Sequence, residues 1–150
     1  MSNVFFLKES FNKIKVEAKK LFEKHYLEIA HFQDIELNID EESYLAMEKA
    51  RAIRVFTARD EDYTLLGYAI FIMRYNLHYK DSYQAVQDVI YIDKDKRGFG
   101  LDFIDWCDEQ LKSEGVQVIY HHVKEKHNFG PSLEKLGYEL VDLIYARKVD

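Results

Sequence analysis

The chain has 150 residues, 47% of them hydrophobic and 15% aromatic, which suffices for a sizeable core, so residues 1–150 are expected to form a single domain. A formal charge of −6 argues against a general nucleic-acid binder, whose footprint is strongly basic, and any polyanionic ligand has to be met by a local basic island. One cysteine, Cys107, cannot close an internal disulfide, no apolar run approaches the roughly 20 residues of a membrane span, and the start of the chain lacks a signal-peptide pattern; the expectation is a cytoplasmic protein with no membrane partner.

Residues 8–30 place Phe11, Ile14, Ala18, Leu21, Phe22 and Tyr26 at three- and four-residue steps, the pattern of an amphipathic helix with Ser10 as its cap. Lys13, Lys15, Lys19, Lys20 and Lys24 lie mostly off that stripe and read as a solvated face. After a loop at 31–36, residues 40–52 repeat a helical pattern through Tyr44, Leu45, Met47 and Ala50, with Asp40, Glu41 and Glu42 at the end where the helix dipole favours negative charge. At Ile53 the rhythm becomes that of strands. Two β-rich runs, 53–58 and 65–73, flank the polar residues 59–64 and predict an antiparallel hairpin, and a third run covers 85–92. Tyr75, His78, Tyr79 and Tyr83 between them either cover the sheet or shape a pocket.

Residues 88–111 read DVIYIDKDKRGFGLDFIDWCDEQL and organise the rest. An apolar strand passes through a charged, glycine-bearing loop into a helix, and a helix start of this kind leaves backbone N–H groups free where the dipole attracts anions. Gly98 and Gly100 remove side chains from the approach, and Lys94, Lys96 and Arg97 supply countercharge. The spacing matches neither the P-loop nor the dinucleotide fingerprint, which would need glycine where Phe103 stands. In the helix that follows, Leu101, Ile104, Cys107 and Leu111 share one face, which makes Cys107 a core residue rather than a nucleophile, and Gly115 marks the stop. A strand at 116–123, a short helix at 131–136 entered by Pro131 and closed by Gly137, and a last strand or strand pair at 138–149 complete a mixed α/β order. His121, His122 and His127 fit no zinc spacing, so no metal is expected.

With these elements in place the chain resembles the GNAT superfamily of acetyl-CoA-dependent N-acetyltransferases. The likeness rests on Ile90-Tyr91-Ile92 followed by Arg97-Gly98-Phe99-Gly100 and a helix, similar to the family's pyrophosphate loop. It rests also on Asn128 through Leu136-Gly137-Tyr138, on Leu66-Gly67-Tyr68-Ala69, and on the element order from Ile53 onward. The resemblance implies a mixed, mostly antiparallel central sheet flanked by about four helices. It implies acetyl-CoA as cosubstrate: the main chain of Ile90, Tyr91 and Ile92 on the pantetheine arm, the groups of Arg97, Gly98, Phe99, Gly100, Leu101 and Asp102 on the pyrophosphate, and Asn128 near the same ligand.

It further implies that a primary amine attacks the thioester directly, with no covalent enzyme intermediate, so that the protein supplies a proton acceptor, positioning and carbonyl polarisation. Asp88 is the candidate base, acting directly or through water. Strand alternation is expected to put Asp88, Ile90 and Ile92 on one face. Two positions depart from the family pattern. Asp102 stands where the motif has Gly or Ala, and Leu133 stands where many members carry the Tyr that protonates the leaving thiolate, leaving Tyr138, Tyr120 or solvent for that role. The acidic residues Asp34, Glu36, Asp40, Glu41 and Glu42 favour a cationic acceptor, a small amine or a protein lysine. A GNAT-fold module that binds CoA or another protein with little or no turnover is the alternative, and a homodimer is left open.

Overall fold

The computed structural model describes residues 3–150. Over them the chain forms β1 (Phe5–Glu9), α1 (Phe11–Ile14), α2 (Lys19–Ile29), α3 (Glu41–Lys49), β2 (Ile53–Arg59), β3 (Leu65–Asn76), β4 (Tyr79–Ile92), α4 (Gly100–Ser113), β5 (Val118–Tyr120) and α5 (Gly130–Lys135), with 3-10 turns at Lys94–Lys96 and Glu125–His127. The five strands lie in sequence order in one sheet; β1 to β4 pair antiparallel and β5 joins β4 in parallel. This is the mixed, mostly antiparallel architecture that the sequence predicts.

Strand alternation divides the core into two layers. Val55, Tyr68, Ile70 and Tyr91 face the side covered by Phe11, Ile14, Leu21 and Phe22 of the first helices, whereas Phe56, Ala69, Phe71 and Ala85 face Phe103, Cys107 and Leu111 of α4. Cys107 is fully buried, as its place on the apolar stripe implies, and burial pushes its thiol far up.

The expected single helix at 8–30 is two helices joined by a turn at 15–18. The stripe itself holds, since Phe11, Ile14, Ala18, Leu21 and Phe22 are all buried. Short helical turns satisfy that periodicity as well as one long helix does, and the start is fixed at residue 11 from outside: the Glu48 carboxylate of α3 accepts from the backbone N–H of Phe11 (2.6 Å) and Asn12 (3.3 Å). Ahead of it, β1 is a strand the periodicity did not reveal. Its five residues are too few to establish a rhythm, and pairing with β2 holds them.

β1 also delivers Glu9 to Arg59 at the end of β2. Glu9 Oε2 accepts from Arg59 Nε at 2.8 Å with both side chains almost wholly buried (3% and 1% exposed), and Glu17 takes the other side of the guanidinium. Burial pushes Glu9 up, but hydrogen bonds from Arg59, Thr57 and Lys13 outweigh it and hold the carboxyl at about 2.

The expected terminal strand or strand pair at 138–149 does not join the sheet. From Tyr138 to Asp150 the chain has no helix, strand, turn or bend, and beyond the Tyr138 N–H it makes no backbone–backbone hydrogen bond among the described residues. The segment is tied at its root, where the Tyr138 hydroxyl donates to Asp108 of α4 (2.8 Å), and near its tip, where Lys148 pairs with Asp34.

Candidate active site

β4 is bonded to β3 along its length but to β5 only where Gln84, Ala85 and Val86 meet Val118, Ile119 and Tyr120. Past that point β4 continues to Ile92 while β5 ends at Tyr120, so the backbone of residues 87–92, including Ile90, Tyr91 and Ile92, has no strand partner on that side among the described residues. The fork is held by side chains. His121 Nδ1 lies 2.8 Å from Gln87 Oε1, and the imidazole is enclosed by Phe71, Tyr138 and Phe129. Burial pushes His121 down to about 4, so the ring is neutral near pH 7 and its Nδ1–H donates to the amide oxygen, leaving Nε2 a buried acceptor without a partner among the described residues.

A β-bulge interrupts β4 beside the fork. Gln87 pairs with Phe71 and Val89 with Ile70, so Asp88 is the extra residue between them. This overturns the expectation that Asp88, Ile90 and Ile92 share a face. Ile90 and Ile92 pack in the α4 layer, whereas Asp88 accepts a hydrogen bond from the Tyr44 hydroxyl of α3 on the opposite layer. Alternation fails here because one inserted residue shifts the face of everything before it. Tyr44 stacks on Phe11 at 4.5 Å, and burial, then Asp88, raises its phenol far above the ordinary value, so it remains a donor. Asp88 itself is exposed. Tyr120, opposite Val86, lies on the same layer as Asp88 by register.

At the far end of the fork the chain turns into α4. Gly67 of β3 sits opposite Ile92, and a Cβ there would stand 2.7 Å from the Tyr91 carbonyl oxygen, so only glycine allows this approach. Asp93 N–H then donates to the Leu66 carbonyl (2.8 Å), and the Asp93 side chain caps the 3-10 turn. α2 clamps the loop in two places: Lys24 pairs with Asp93 at 3.1 Å, and Arg97, which also donates to the Ile92 carbonyl (3.1 Å), pairs with Glu28. Arg97 is thus engaged with protein carboxylate and carbonyl, with its guanidinium 5.6 Å from the Tyr91 ring centre. Tyr91 in turn stacks on His25 (4.8 Å), which burial holds down to about 4.

Gly98 has φ +129°, a conformation that disfavours a side chain. Phe99 precedes α4 without a side-chain cap, and its ring packs towards Phe6, leaving its amide free. The N–H groups of Gly98, Phe99, Gly100, Leu101 and Asp102 donate to no acceptor among the described residues. Five free amides at the start of a 14-residue helix can hold an anion. The Asp102 side chain is exposed in the first turn of α4. Asn128 lies at the entry to α5, where its Oδ1 accepts from Gly130 N–H at 2.8 Å.

Of the residues read from the sequence, the structure brings Ile90 to Ile92 and the amides of 98–102 to one end of β4, with Asp88 at the other end of the fork. Tyr44, Gln87, His121, Lys24 and Glu28 were missed. Their partners lie far away in the chain, and no local spacing signals them. A separate groove of about 770 Å³ runs between α1, α2 and residues 33–39, lined by Phe22, Tyr26 and Leu37 among others. It contains neither Asp88 nor the glycine loop.

No protein-family model and no curated protein matches the sequence. Solved structures do match in three dimensions. The ribosomal-protein-alanine N-acetyltransferase from Brucella melitensis biovar Abortus 2308 superposes with TM-score 0.76 at 17% identity, over 99% of each chain. A predicted acetyltransferase from Clostridium acetobutylicum, solved with acetyl-CoA, gives 0.69 at 15% identity over 97% of this chain and 96% of that one. An aminoglycoside acetyltransferase from an uncultured soil metagenomic sample, in complex with sisomicin, gives 0.67 at 14% identity over 97% of each. This chain therefore shares its overall fold with these acetyltransferase structures.

Proposed function

We propose that the chain is an N-acetyltransferase that moves an acetyl group from acetyl-CoA to a primary amine. One observation carries this reading: β4 parts from β5 directly before a loop that delivers five unpaired amides at the start of α4. In a fold shared with acetyltransferases, that pairing of an unpaired strand edge with an anion cradle suits a ligand with an amide-bearing arm and a diphosphate.

The free backbone of Ile90 and Ile92 would bond the pantetheine amides, and the amides of Gly98 to Asp102 would bond the diphosphate oxygens. Arg97 adds charge once it divides its donors between Glu28 and the ligand. The amine nitrogen attacks the thioester carbonyl carbon, the new C–N bond forms as the C–S bond breaks, and the ammonium proton passes to Asp88, directly or through water. Tyr44 fixes that carboxylate. Tyr138 is engaged with Asp108, so Tyr120, on the layer of Asp88, is the better placed phenol to give the departing thiolate its proton. Asp40 and Asp34 are partly taken up, by the cap of α3 and by Lys148, which leaves Glu36, Glu41 and Glu42 to draw a cationic acceptor.

Calorimetry with acetyl-CoA and with CoA, followed by thiol release against a panel of amines, tests the proposal. Binding with amine-dependent release supports it. Binding without release over the whole panel would make the chain a CoA-binding module, and absence of binding would remove the transferase reading.

A further inference from the structure

Val86 and Tyr120 are the last residues that β4 and β5 pair, so Gln87 and His121 stand next in line at the vertex of the fork. There a side-chain bond takes over from the backbone ladder: His121 Nδ1 and Gln87 Oε1 are 2.8 Å apart, and Gln87 is buried. Both side chains lie on the α4 layer, since Gln87 is paired with Phe71, and the Phe71 ring meets the imidazole edge to face at 5.5 Å.

The other ring nitrogen is the anomaly. His121 Nε2 is shut off from solvent and has no partner among the described residues. Burial keeps the ring neutral near pH 7, so this atom is an acceptor. None of the three rings around it supplies a hydrogen. The Tyr138 hydroxyl has one to give and gives it to Asp108, and Phe71 and Phe129 have no polar hydrogen at all. A buried acceptor without a donor weakens the fold, and its retention points to a use.

The direction from which a donor comes follows from the sheet. With the diphosphate on the amides of residues 98–102, the coenzyme's arm has the free edge of β4 to follow from Ile92 back to Gln87, about 16 Å at roughly 3.3 Å per residue. The sulfur-bearing end of the arm then arrives at the vertex, and the amide nearest the sulfur is the N–H that comes with it. On the transferase reading, we infer that His121 is a coenzyme-binding residue whose Nε2 accepts a hydrogen bond from that amide and seats the thioester at the vertex. Asp88 lies on the opposite layer, so coenzyme and acceptor approach the vertex from opposite faces of the sheet. Access to Nε2 requires one wall to move. Phe71 is wholly buried and Tyr138 is tied to Asp108, whereas Phe129 is only half-buried at the entry to α5, so its ring is the one that gives way.

Nitrogen NMR of the native chain, labelled in its histidines, tests this without any variant. Addition of CoA is expected to move the His121 Nε2 resonance from the position of a free imidazole acceptor towards that of a hydrogen-bonded one; loss of the signal in His121→Gln assigns it. Calorimetry gives a second readout. A CoA analogue with an ester oxygen in place of that amide N–H is expected to bind the native chain about 10-fold more weakly than CoA does. The His121→Phe variant is expected to bind both alike, whereas His121→Gln, with an oxygen near the place of Nε2, keeps part of the preference. An Nε2 resonance that stays put while CoA binds, or equal affinity of the native chain for CoA and the ester analogue, would overturn the inference and leave the transferase reading standing. Absence of CoA binding would remove both.

Discussion

The Tyr44 hydroxyl donates to the Asp88 carboxylate, tying α3 to the bulge of β4. The two residues are 44 positions apart; the bulge turns the proposed base towards the helix layer, and Tyr44 meets it there.

If Asp88 accepts the amine proton, Asp88→Ala lowers kcat/KM by roughly 10²- to 10⁴-fold, the usual contribution of a positioned base, with acetyl-CoA affinity unchanged. Tyr44→Phe keeps the stacking on Phe11 and loses only the hydrogen bond, so a smaller fall, about 10-fold, is expected. Steady-state kinetics with calorimetry on both variants checks this; an unchanged rate in Asp88→Ala eliminates the base.

Two glycines shape the proposed coenzyme site for different reasons. Gly67→Ala puts a methyl group against the Tyr91 carbonyl and is expected to cost about 1–3 kcal/mol while displacing the end of β4. Gly98→Ala meets no atom within 4 Å, but its φ of +129° strains any side chain, so about 1 kcal/mol or more is lost. Urea midpoints give both values, and CoA affinity should fall in each variant.

Acid weakens the fold through its histidines. His25 and His121 are held down by burial from 6.5 to about 4, so between those values the unfolded chain takes up protons that the folded chain refuses. Stability therefore drops as pH falls from 6.5 to 4, by up to about 3 kcal/mol for each ring. The His121→Gln variant should show a shallower decline in urea titrations at pH 7, 5.5 and 4.5; an equal slope would mean that His121 ionises freely.

Asp108 acts in the opposite sense. Burial raises it from 3.8 to about 6, partly offset by the Tyr138 hydrogen bond, so its contribution is lost as pH rises through 6. Tyr138→Phe should move its titration higher still, which carbonyl-carbon NMR can follow, and should leave kcat nearly unchanged. Tyr120→Phe, in contrast, should lower kcat about 10-fold or more if that phenol reprotonates the thiolate.

β2, β3, the end of β4, α4, the glycine loop and the short α5 were legible because each announces itself locally: alternation for β2 and β3, the three-four step for Leu101, Ile104, Cys107 and Leu111, and glycine at the turns. The face of Asp88 was not legible. It depends on a bulge, and a bulge depends on pairing with β3 rather than on any property of Asp88. The use of Arg97 was only half visible, since the carboxylate it meets belongs to Glu28, 69 residues earlier. The arm beyond Tyr138 carries a strand's composition, but composition says only that residues suit a sheet and not whose sheet they join.

Edge strands are often regarded as expendable, and an N-terminal pentapeptide invites removal when a chain is shortened for expression. Here that trimming would take Glu9 away and strand the Arg59 guanidinium in the interior with Glu17 as its remaining carboxylate. Removing one partner of a buried ion pair costs up to about 3–5 kcal/mol, a large part of what a domain of this size has to spare. Chains starting after residue 10 should accumulate as insoluble protein, whereas those starting at residue 3 should not.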